Sequence, residues 1–280
     1  LQRWQVDRAR AELLARVPVE PLAPYVRNRI RMRQAGVWSA LAFEDSRRLV
    51  VEAGAPANGL PPVGPGDVLA AGNAALEALA GVAKGELADG DQSAYADAAM
   101  RVGASRWAAE PAFAPGGSGL RVATQPGQPG ETCVLLLDAR HGVDHPLARR
   151  CTFATVWTAS ARVGPGATAL ALAVQPLDAW RELWMFRATP AGWTLQVLPP
   201  STEASGVGYV EFAGWVPATG QVLAAREVHD AARGKRPART FELLDGRTLA
   251  TARTADAPSS LKAFRRFQDP AWRRVTVSLR

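Results

Sequence analysis

The sequence predicts a mainly β protein that begins with helices and carries a helical insertion before its β-rich part. Three observations lead to this fold class. Apolar residues recur near a 3.6-residue period at the N-terminus, an alanine-rich stretch follows a turn-rich segment, and short apolar runs separated by glycine and proline begin after Trp107. The 280 residues are 48% hydrophobic and 21% charged, which is the balance of a folded globular protein and excludes a disordered chain.

Residues 1–34 form the first predicted region, an N-terminal helical segment. Within Trp4–Val17 the apolar residues follow the helical period and are separated by arginine, aspartate and glutamate. Three prolines then interrupt the chain, because proline lacks the amide hydrogen that a helix interior requires. Tyr25–Gln34 predicts a short second helix with arginines on its flanks.

Residues 35–54 are predicted to form a pair of strands that joins the β domain. The two strands are Trp38–Phe43 and Arg48–Ala53, and they enclose the turn-like sequence Glu44-Asp45-Ser46. Residues 55–106 predict a proline- and glycine-rich loop and a helical insertion. Asp67 is predicted as the N-cap of a helix over Val68–Lys84, and Gln92–Val102 reads as a further helix.

Residues 107–280 are predicted to form a β-rich repeat domain, because short apolar runs alternate there with turn residues at a spacing near 8–12 residues over much of the region. The predicted strands are Leu120–Thr124, Cys133–Leu137, Thr152–Trp157, Ala169–Val174, Glu182–Arg187, Thr194–Leu198, Val210–Gly214, Gln221–Val228, Thr240–Leu244, Leu249–Arg253 and Val275–Leu279.

Three segments of this region, which begin at Phe113, Val156 and Phe212, repeat one order of features. Each reads as an aromatic-led strand, a glycine-containing turn, an inner strand, a third strand and a more polar outer strand. Four strands per unit is the organisation of a β-propeller blade, which must stack on its neighbours to bury two apolar faces. At about 40–45 residues per blade the region holds about four blades. A β-sandwich is the alternative, since it explains the same strands.

Two stretches, Phe113-Ala114-Pro115-Gly116-Gly117 and Phe43-Glu44-Asp45-Ser46-Arg47-Arg48-Leu49-Val50, resemble the aromatic-x-Pro-Asp-Gly turn of TolB/WD40-like propeller repeats. The resemblance covers residues 35–54 and 107–255. The sequence departs from the family pattern, because no Trp-Asp dipeptide ends a blade and the turn aspartate is replaced. The resemblance implies an extracytoplasmic propeller that binds other proteins, and it carries no catalytic residues over to this chain.

The two cysteines, Cys133 and Cys151, lie in strand-like stretches that a polar loop joins. If these strands pair antiparallel, a disulfide bond would close a loop of about 18 residues and stabilise the fold by roughly 3 kcal/mol. Two buried free thiols are the alternative. A chain that begins at Leu1 is also what removal of a signal peptide would leave, although an incomplete sequence would begin in the same way. We therefore expect a periplasmic or secreted protein, and no apolar stretch reaches the length of a transmembrane span.

The net charge of +7 comes from arginine, which supplies all but three of the 33 basic residues, and most of these arginines are scattered. Two dense clusters are candidate binding residues for an acidic surface. The first consists of Arg27, Arg29, Arg31 and Arg33, and the second of Arg265, Arg266, Arg273, Arg274 and Arg280. Nucleic acid is not the expected partner, because no helix-turn-helix, zinc-finger or RNP-like motif accompanies either cluster.

Two further groups of residues are candidate sites. His141, Asp144 and His145 have side chains that bind divalent metal ions, although a fourth ligand would have to come from elsewhere. Trp180, beside Asp178 and Glu182, is the tryptophan expected to be exposed, and sugar rings stack on such side chains. Motifs for serine hydrolases, nucleotide-binding loops and cysteine-based zinc sites are missing, and no cofactor is expected.

These patterns favour a non-catalytic, extracytoplasmic binding or scaffold protein that uses a propeller-like β surface for protein–protein interaction. An enzyme from a different class, a hydrolase acting on a glycan or another cell-envelope polymer, is the first alternative. The second is a structural subunit of a larger assembly, in which the arginine-rich ends contact acidic neighbours.

Overall fold

The computed structural model describes residues 3–51, 60–111, 119–202, 207–229 and 238–277. The chain divides into two units, which are described separately. The first comprises residues 1–110, 229–236 and 277–280, and the second comprises residues 111–228 and 237–276. In the described part of the chain, no helix is long and apolar enough to cross a membrane.

The first unit contains four helices: α1 (Arg3–Ala15), α2 (Pro24–Val51), α3 (Pro65–Ala80) and α4 (Asp89–Ala109). The central helix is α2, which contacts the other three. At the start of α3 the N-cap is Gly64 and not Asp67 as predicted. Asp67 lies at the third helical position, where its carboxylate accepts a hydrogen bond from the Gly64 amide at 2.8 Å.

The predicted strand pair within residues 35–54 is wrong, because α2 continues without a break through Trp38–Phe43 and as far as Val51. Residues 52–54 lie outside the described residues. The buried face of α2 repeats every three to four residues, as a helix packed against its neighbours requires. Members of this face are Asn28, Met32, Ala35, Ser39, Ala42 and Ser46. Half of them are polar, so hydrophobicity alone does not reveal the period.

The second unit contains eleven strands that form two sheets in the described part of the chain. The strands are β1 (Arg121–Pro126), β2 (Thr132–Leu137), β3 (Ala148–Thr152), β4 (Thr155–Val163), β5 (Ala169–Leu177), β6 (Trp180–Thr189), β7 (Gly192–Leu198), β8 (Val207–Val216), β9 (Gln221–His229), β10 (Ala238–Leu244) and β11 (Thr251–Ala255). The predicted strand Thr152–Trp157 is two strands, divided at Phe153 and Ala154.

Successive strands pair with each other in three meanders, which we call the first (β1–β3), second (β4–β7) and third (β8–β11) meander. The second and third meanders join into one eight-stranded sheet, because Trp180 and Arg181 of β6 pair in parallel with Gly208 and Tyr209 of β8. The strands of the three meanders and the helices at the N-terminus confirm the prediction of a mainly β protein that begins with helices. The order of the sheet is open, with β4 and β11 at its two ends.

The meanders pack one after another, because the side chains of a strand point alternately to its two faces and can contact a different meander on each. In β5, Leu170 and Leu172 pack with the first meander, whereas Ala169 and Ala171 pack with the third. The other face of the third meander packs against two C-terminal helices, α5 (Lys262–Phe267) and α6 (Pro270–Val275). Because several strands are buried on both faces, their sequences are continuous apolar runs.

The predicted strand Val275–Leu279 is wrong where the structure describes it, since Val275 is the last residue of α6. Residues 278–279 lie outside the described residues. The helix forms because Pro270 occupies its first turn and the Asp269 carboxylate accepts a hydrogen bond from the Ala271 amide at 2.7 Å. This cap overrides the alternating pattern that suggested a strand.

Candidate functional site

A disulfide bond joins Cys133 and Cys151, as predicted. The two residues are direct partners in the antiparallel pairing of β2 with β3. In the described part of the chain, the one group of three potential metal-ligand side chains consists of these cysteines and Glu131. Both sulfur atoms are already bonded to each other, so this group is a covalent crosslink of the first meander and not a metal centre.

The loop between β2 and β3 does not assemble the predicted metal ligands. Asp144 and His145 are exposed, and the structure does not bring the ligand atoms of His141, Asp144 and His145 within 4.8 Å of one another. The imidazole Nδ1 of His141 instead lies 2.8 Å from Asp138 Oδ1, which also accepts hydrogen bonds from the amides of Arg140 and His141. This loop is a hydrogen-bonded turn.

The first arginine cluster is divided between two sides of α2, because alternate residues on a helix point in nearly opposite directions. Arg27 and Arg31 are half-buried and lie 3.8 and 2.9 Å from the Glu20 carboxylate, and Arg31 also donates to the carbonyl of Gly81. Arg29 and Arg33 are exposed on the other side. The four residues therefore do not form one binding surface.

The described residues of the second cluster lie on α5 and α6. Both helices bury one side against the third meander, through Phe264, Trp272 and other apolar residues. The opposite sides carry exposed basic residues, which we call the C-terminal basic surface: Lys262, Arg265, Arg266, Arg273 and Arg274. Within the described residues, no carboxylate lies within 4.0 Å of Arg265, Arg266 or Arg273. Arg280 lies outside the described residues.

Contacts of the segment between α5 and α6 fix the position of this surface. Asp269 Oδ2 accepts a hydrogen bond from Arg162 Nε at 2.7 Å, and the Asp269 amide donates to the Ala213 carbonyl at 2.7 Å. Gly214 has a φ of 156°, and a Cβ atom there would overlap the carbonyl oxygen of Phe267. The chain between the helices can lie this close to β8 only because residue 214 is glycine.

Trp180 is half-buried and not the exposed platform that was predicted. It begins β6, pairs with Gly208, and its ring occupies the space beside that glycine. Trp157 and Trp184 are buried between the meanders, and Trp184 Nε1 donates to Glu182 at 3.3 Å. The tryptophans that suggested a sugar-binding surface therefore pack within the protein.

A buried ionic cluster lies on the face of the third meander that packs against α6. We call it the Arg181 cluster, and its members are Arg181, Tyr209, Glu211, Glu227, Arg239, Trp272 and Thr276. Glu211 lies at its centre. It accepts hydrogen bonds from Arg181, from Trp272 Nε1 at 2.8 Å and from Thr276 Oγ1 at 2.7 Å, and Arg239 Nη2 is 4.0 Å away.

Aromatic rings surround the two arginines of the Arg181 cluster. The Arg181 and Arg239 guanidinium carbons lie 5.4 and 5.9 Å from the centre of the Tyr209 ring. Arg239 is also 5.2 and 6.0 Å from the ring centres of Phe241 and Trp272. Guanidinium groups in this position are attracted by the ring quadrupole. The two guanidinium groups therefore lie among aromatic side chains and are largely shielded from solvent.

Tyr209 acts in the Arg181 cluster as a hydrogen-bond donor. Its hydroxyl donates to Glu227 Oε2 at 2.8 Å. Burial, and after it the negative charge of Glu211, raises the pKa of Tyr209 well above its ordinary value. The phenol therefore stays protonated at neutral pH. Sequence reasoning missed this cluster, although the charge of Glu211 between Val210 and Phe212 was a signal that a buried partner was needed.

Comparison with known proteins assigns no relatives: the chain matches no family model, no curated protein and no solved structure.

Proposed function

We propose that this chain is a non-catalytic binding or scaffold protein of an oxidising compartment, periplasmic or secreted, and that it contacts an acidic protein partner. Its three meanders stack in series, as the blades of a propeller do, and we propose a propeller-like β architecture as the scaffold. The observation that carries the proposal is the C-terminal basic surface, whose exposed arginines lie on helices fixed to the third meander.

The structure of α5 and α6 supports a role in binding. Each helix has six residues, which is too short for a stable isolated helix, so both depend on burial against β8 and its neighbours. Their arginines are thus presented by a rigid support, and each planar guanidinium can bind a carboxylate through two hydrogen bonds. Preorganised cations of this kind favour fast association with an acidic surface.

The disulfide bond supports the proposed compartment. Such bonds persist in oxidising compartments and are rare in the cytosol. Cys133 is fully buried, and Cys151 is half-buried beside it. We expect mass spectrometry under non-reducing conditions to find the bonded pair in protein isolated from its native compartment, with no alkylation of either cysteine. Two alkylated thiols in that sample would contradict the proposed location.

Charge reversal tests the binding function. We expect the variant Arg265→Glu/Arg266→Glu/Arg273→Glu to bind a partner identified by crosslinking in the native host at least ten-fold more weakly than the wild type. The same interaction should weaken between 50 and 300 mM salt, because added salt shortens the distance over which exposed charges interact, which is about 10 Å at 0.1 M. The measurement is titration of the purified pair at both salt concentrations.

The variant Arg16→Glu/Arg29→Glu/Arg33→Glu is a matched control, since it changes the net charge equally but on exposed positions of α2 and of the segment between α1 and α2. We expect this control to bind normally. Loss of binding in the control and not in the test variant would place the partner on the helical unit. A wild-type chain that is isolated from its host without any partner would contradict a binding function.

A further inference from the structure

An apolar segment of the first unit is exposed where the chain passes from α1 to α2. We call residues 17–26 the helical tip; they follow α1 and reach the first turn of α2, and Glu20 is the one charged residue among them. Tyr25 and Val26 are 61% and 42% exposed, and the three prolines of the tip are exposed as well. Exposed apolar residues that are contiguous in this way mark a contact site.

The charge around the helical tip is positive. Glu20 is already paired, since its carboxylate lies 2.9 Å from Arg31 and 3.8 Å from Arg27. Three further arginines are exposed, one directly before the tip and two on the following turns of α2. They are Arg16, Arg29 and Arg33. Among the described residues, no carboxylate lies within 4.0 Å of these three side chains, so they are available to an external anion.

The backbone of the helical tip suits surroundings of low polarity, in which an amide without a hydrogen-bond partner is costly. The three prolines have no amide hydrogen. The amides of Val17 and Leu22 donate to the carbonyls of Leu14 and Val19, both at 3.2 Å. Half of the residues in the tip therefore lose no hydrogen bond between an amide and water when they leave the solvent.

Tyr25 and Arg29 place an aromatic ring and a cation side by side at the edge of the helical tip. Arg29 Nη1 donates to the Tyr25 hydroxyl at 3.1 Å, and the guanidinium carbon lies 5.8 Å from the ring centre. Tyrosine is enriched at the boundary between a membrane and water, because its ring enters the apolar layer while its hydroxyl stays among the headgroups. In that position Arg29 lies at the level of the lipid phosphates.

We propose that the helical tip docks on the surface of an anionic lipid bilayer. Tyr25, Val26 and the prolines enter the boundary between headgroups and acyl chains, and the three exposed arginines bind lipid phosphates. A lipid surface fits better than an acidic protein, because protein interfaces form about one hydrogen bond per 100–200 Å². The tip offers only the side chains of Tyr25 and the paired Glu20 for that purpose. The proposal does not depend on the C-terminal basic surface, which belongs to the other unit.

The test is cosedimentation of the full chain with vesicles of phosphatidylcholine, either alone or with about 30% phosphatidylglycerol. The wild type should bind the anionic vesicles at least ten-fold more tightly than the neutral ones. Arg16→Gln/Arg29→Gln/Arg33→Gln should weaken binding to the anionic vesicles by roughly 100-fold, because each arginine near such a surface contributes a factor of about five. Tyr25→Ser/Val26→Ser should weaken it by roughly ten-fold, because less apolar surface is buried.

The matched control is Arg265→Gln/Arg266→Gln/Arg273→Gln, which removes the same charge from the C-terminal basic surface. This variant should bind the anionic vesicles as the wild type does. If it loses as much binding as the variant of the helical tip, attraction by net charge explains the result and the proposal is wrong. Failure of the wild type to bind anionic vesicles would overturn it as well.

A fluorescent label distinguishes insertion from adsorption. Both native cysteines are in the disulfide bond, so Val26→Cys adds one free thiol for an environment-sensitive dye. Its emission should shift to shorter wavelength when anionic vesicles are added, whereas a label at Thr254→Cys, an exposed position of β11, should show no shift. An unchanged emission at position 26 in the bound protein would contradict insertion. A shift with an acidic protein partner and none with vesicles would assign the helical tip to a protein interface and overturn the proposal.

Discussion

Each face of the third meander carries a glutamate that pairs with an arginine, and the two pairs are bonded differently. On the face toward the second meander, Arg226 Nε and Nη2 donate to the two oxygens of Glu242 at 2.9 and 3.1 Å. Its Nη1 donates to the carbonyls of Pro199 and Pro200 at 2.7 and 2.8 Å. On the opposite face, Arg181 is almost completely buried and contacts one oxygen of Glu211.

The two arginine–glutamate pairs therefore contribute to the fold in different ways. Arg226 has a partner for each nitrogen and remains 21% exposed, so it ties the segment before β8 to the sheet at little desolvation cost. In the other pair Glu211 accepts three hydrogen bonds, whereas two nitrogen atoms of Arg181 have no partner among the described residues. The first pair is therefore fully bonded, and the second is not.

Removal of each glutamate gives the largest expected effect and tests the contrast directly. Glu211→Ala should destabilise the protein by about 3 to 5 kcal/mol, because it leaves Arg181 buried without its ion-pair partner. It also removes the carboxylate to which Trp272 and Thr276 donate hydrogen bonds. Glu242→Ala should cost less, about 1 to 3 kcal/mol, since Arg226 keeps its two proline carbonyls and reaches solvent. Urea unfolding monitored by tryptophan fluorescence measures both, and equal losses would remove the distinction between the pairs.

Removal of each arginine should give the same order with a smaller difference. Arg181→Met should cost about 1 to 2 kcal/mol more than Arg226→Met, because it leaves the buried Glu211 carboxylate with Arg239, 4.0 Å away, as its cation. Arg226→Met leaves Glu242 and two carbonyls without their donor, but Arg226 is 21% exposed and water can replace it. Parallel urea titrations measure the difference. A greater loss for Arg226→Met would mean that the number of lost hydrogen bonds matters more than burial.

The pairs themselves could not be predicted from the sequence, and the reason is physical. Arg181, Glu211 and Arg239 come from three strands, and the contact between them depends on the parallel pairing of β6 with β8, which involves only two residue pairs. No local pattern encodes such a short pairing. By contrast, Cys133 and Cys151 were predictable as a disulfide, because each lies in an apolar strand and one loop joins the two strands.

The fold was predictable where alternation and turn residues coincide. The strands of the second and third meanders overlap the predicted runs, because most of these runs are apolar on at least one face and are followed closely by glycine or proline. The prediction was wrong for residues 35–51, where Ser39 and Ser46 occupy buried helical positions and conceal the period of α2. Arg27–Arg33 were grouped because they are close in sequence, although the helix predicted there already turns alternate residues to opposite sides.

An exposed pair provides the smallest expected effect and a reference for both buried pairs. The hydrogen bond from His141 lowers the pKa of Asp138 below its ordinary value of 3.8, and the Arg140 amide adds to this effect. A carboxylate with a lowered pKa stabilises the fold above its unfolded pKa, and this contribution is lost as the pH falls through its folded pKa. The affected range is therefore acidic, below about pH 4.

His141→Ala should raise the pKa of Asp138 toward its ordinary value in an NMR titration of the side-chain carboxyl, and the urea midpoint at pH 7 should fall only slightly below that of the wild type. Solvent screens this pair, so its removal leaves no buried charge behind. A loss of stability at pH 7 comparable to that of Glu242→Ala would mean that bonding geometry matters more than burial. The contrast between Arg226 and Arg181 would then have to be explained by their geometry as well.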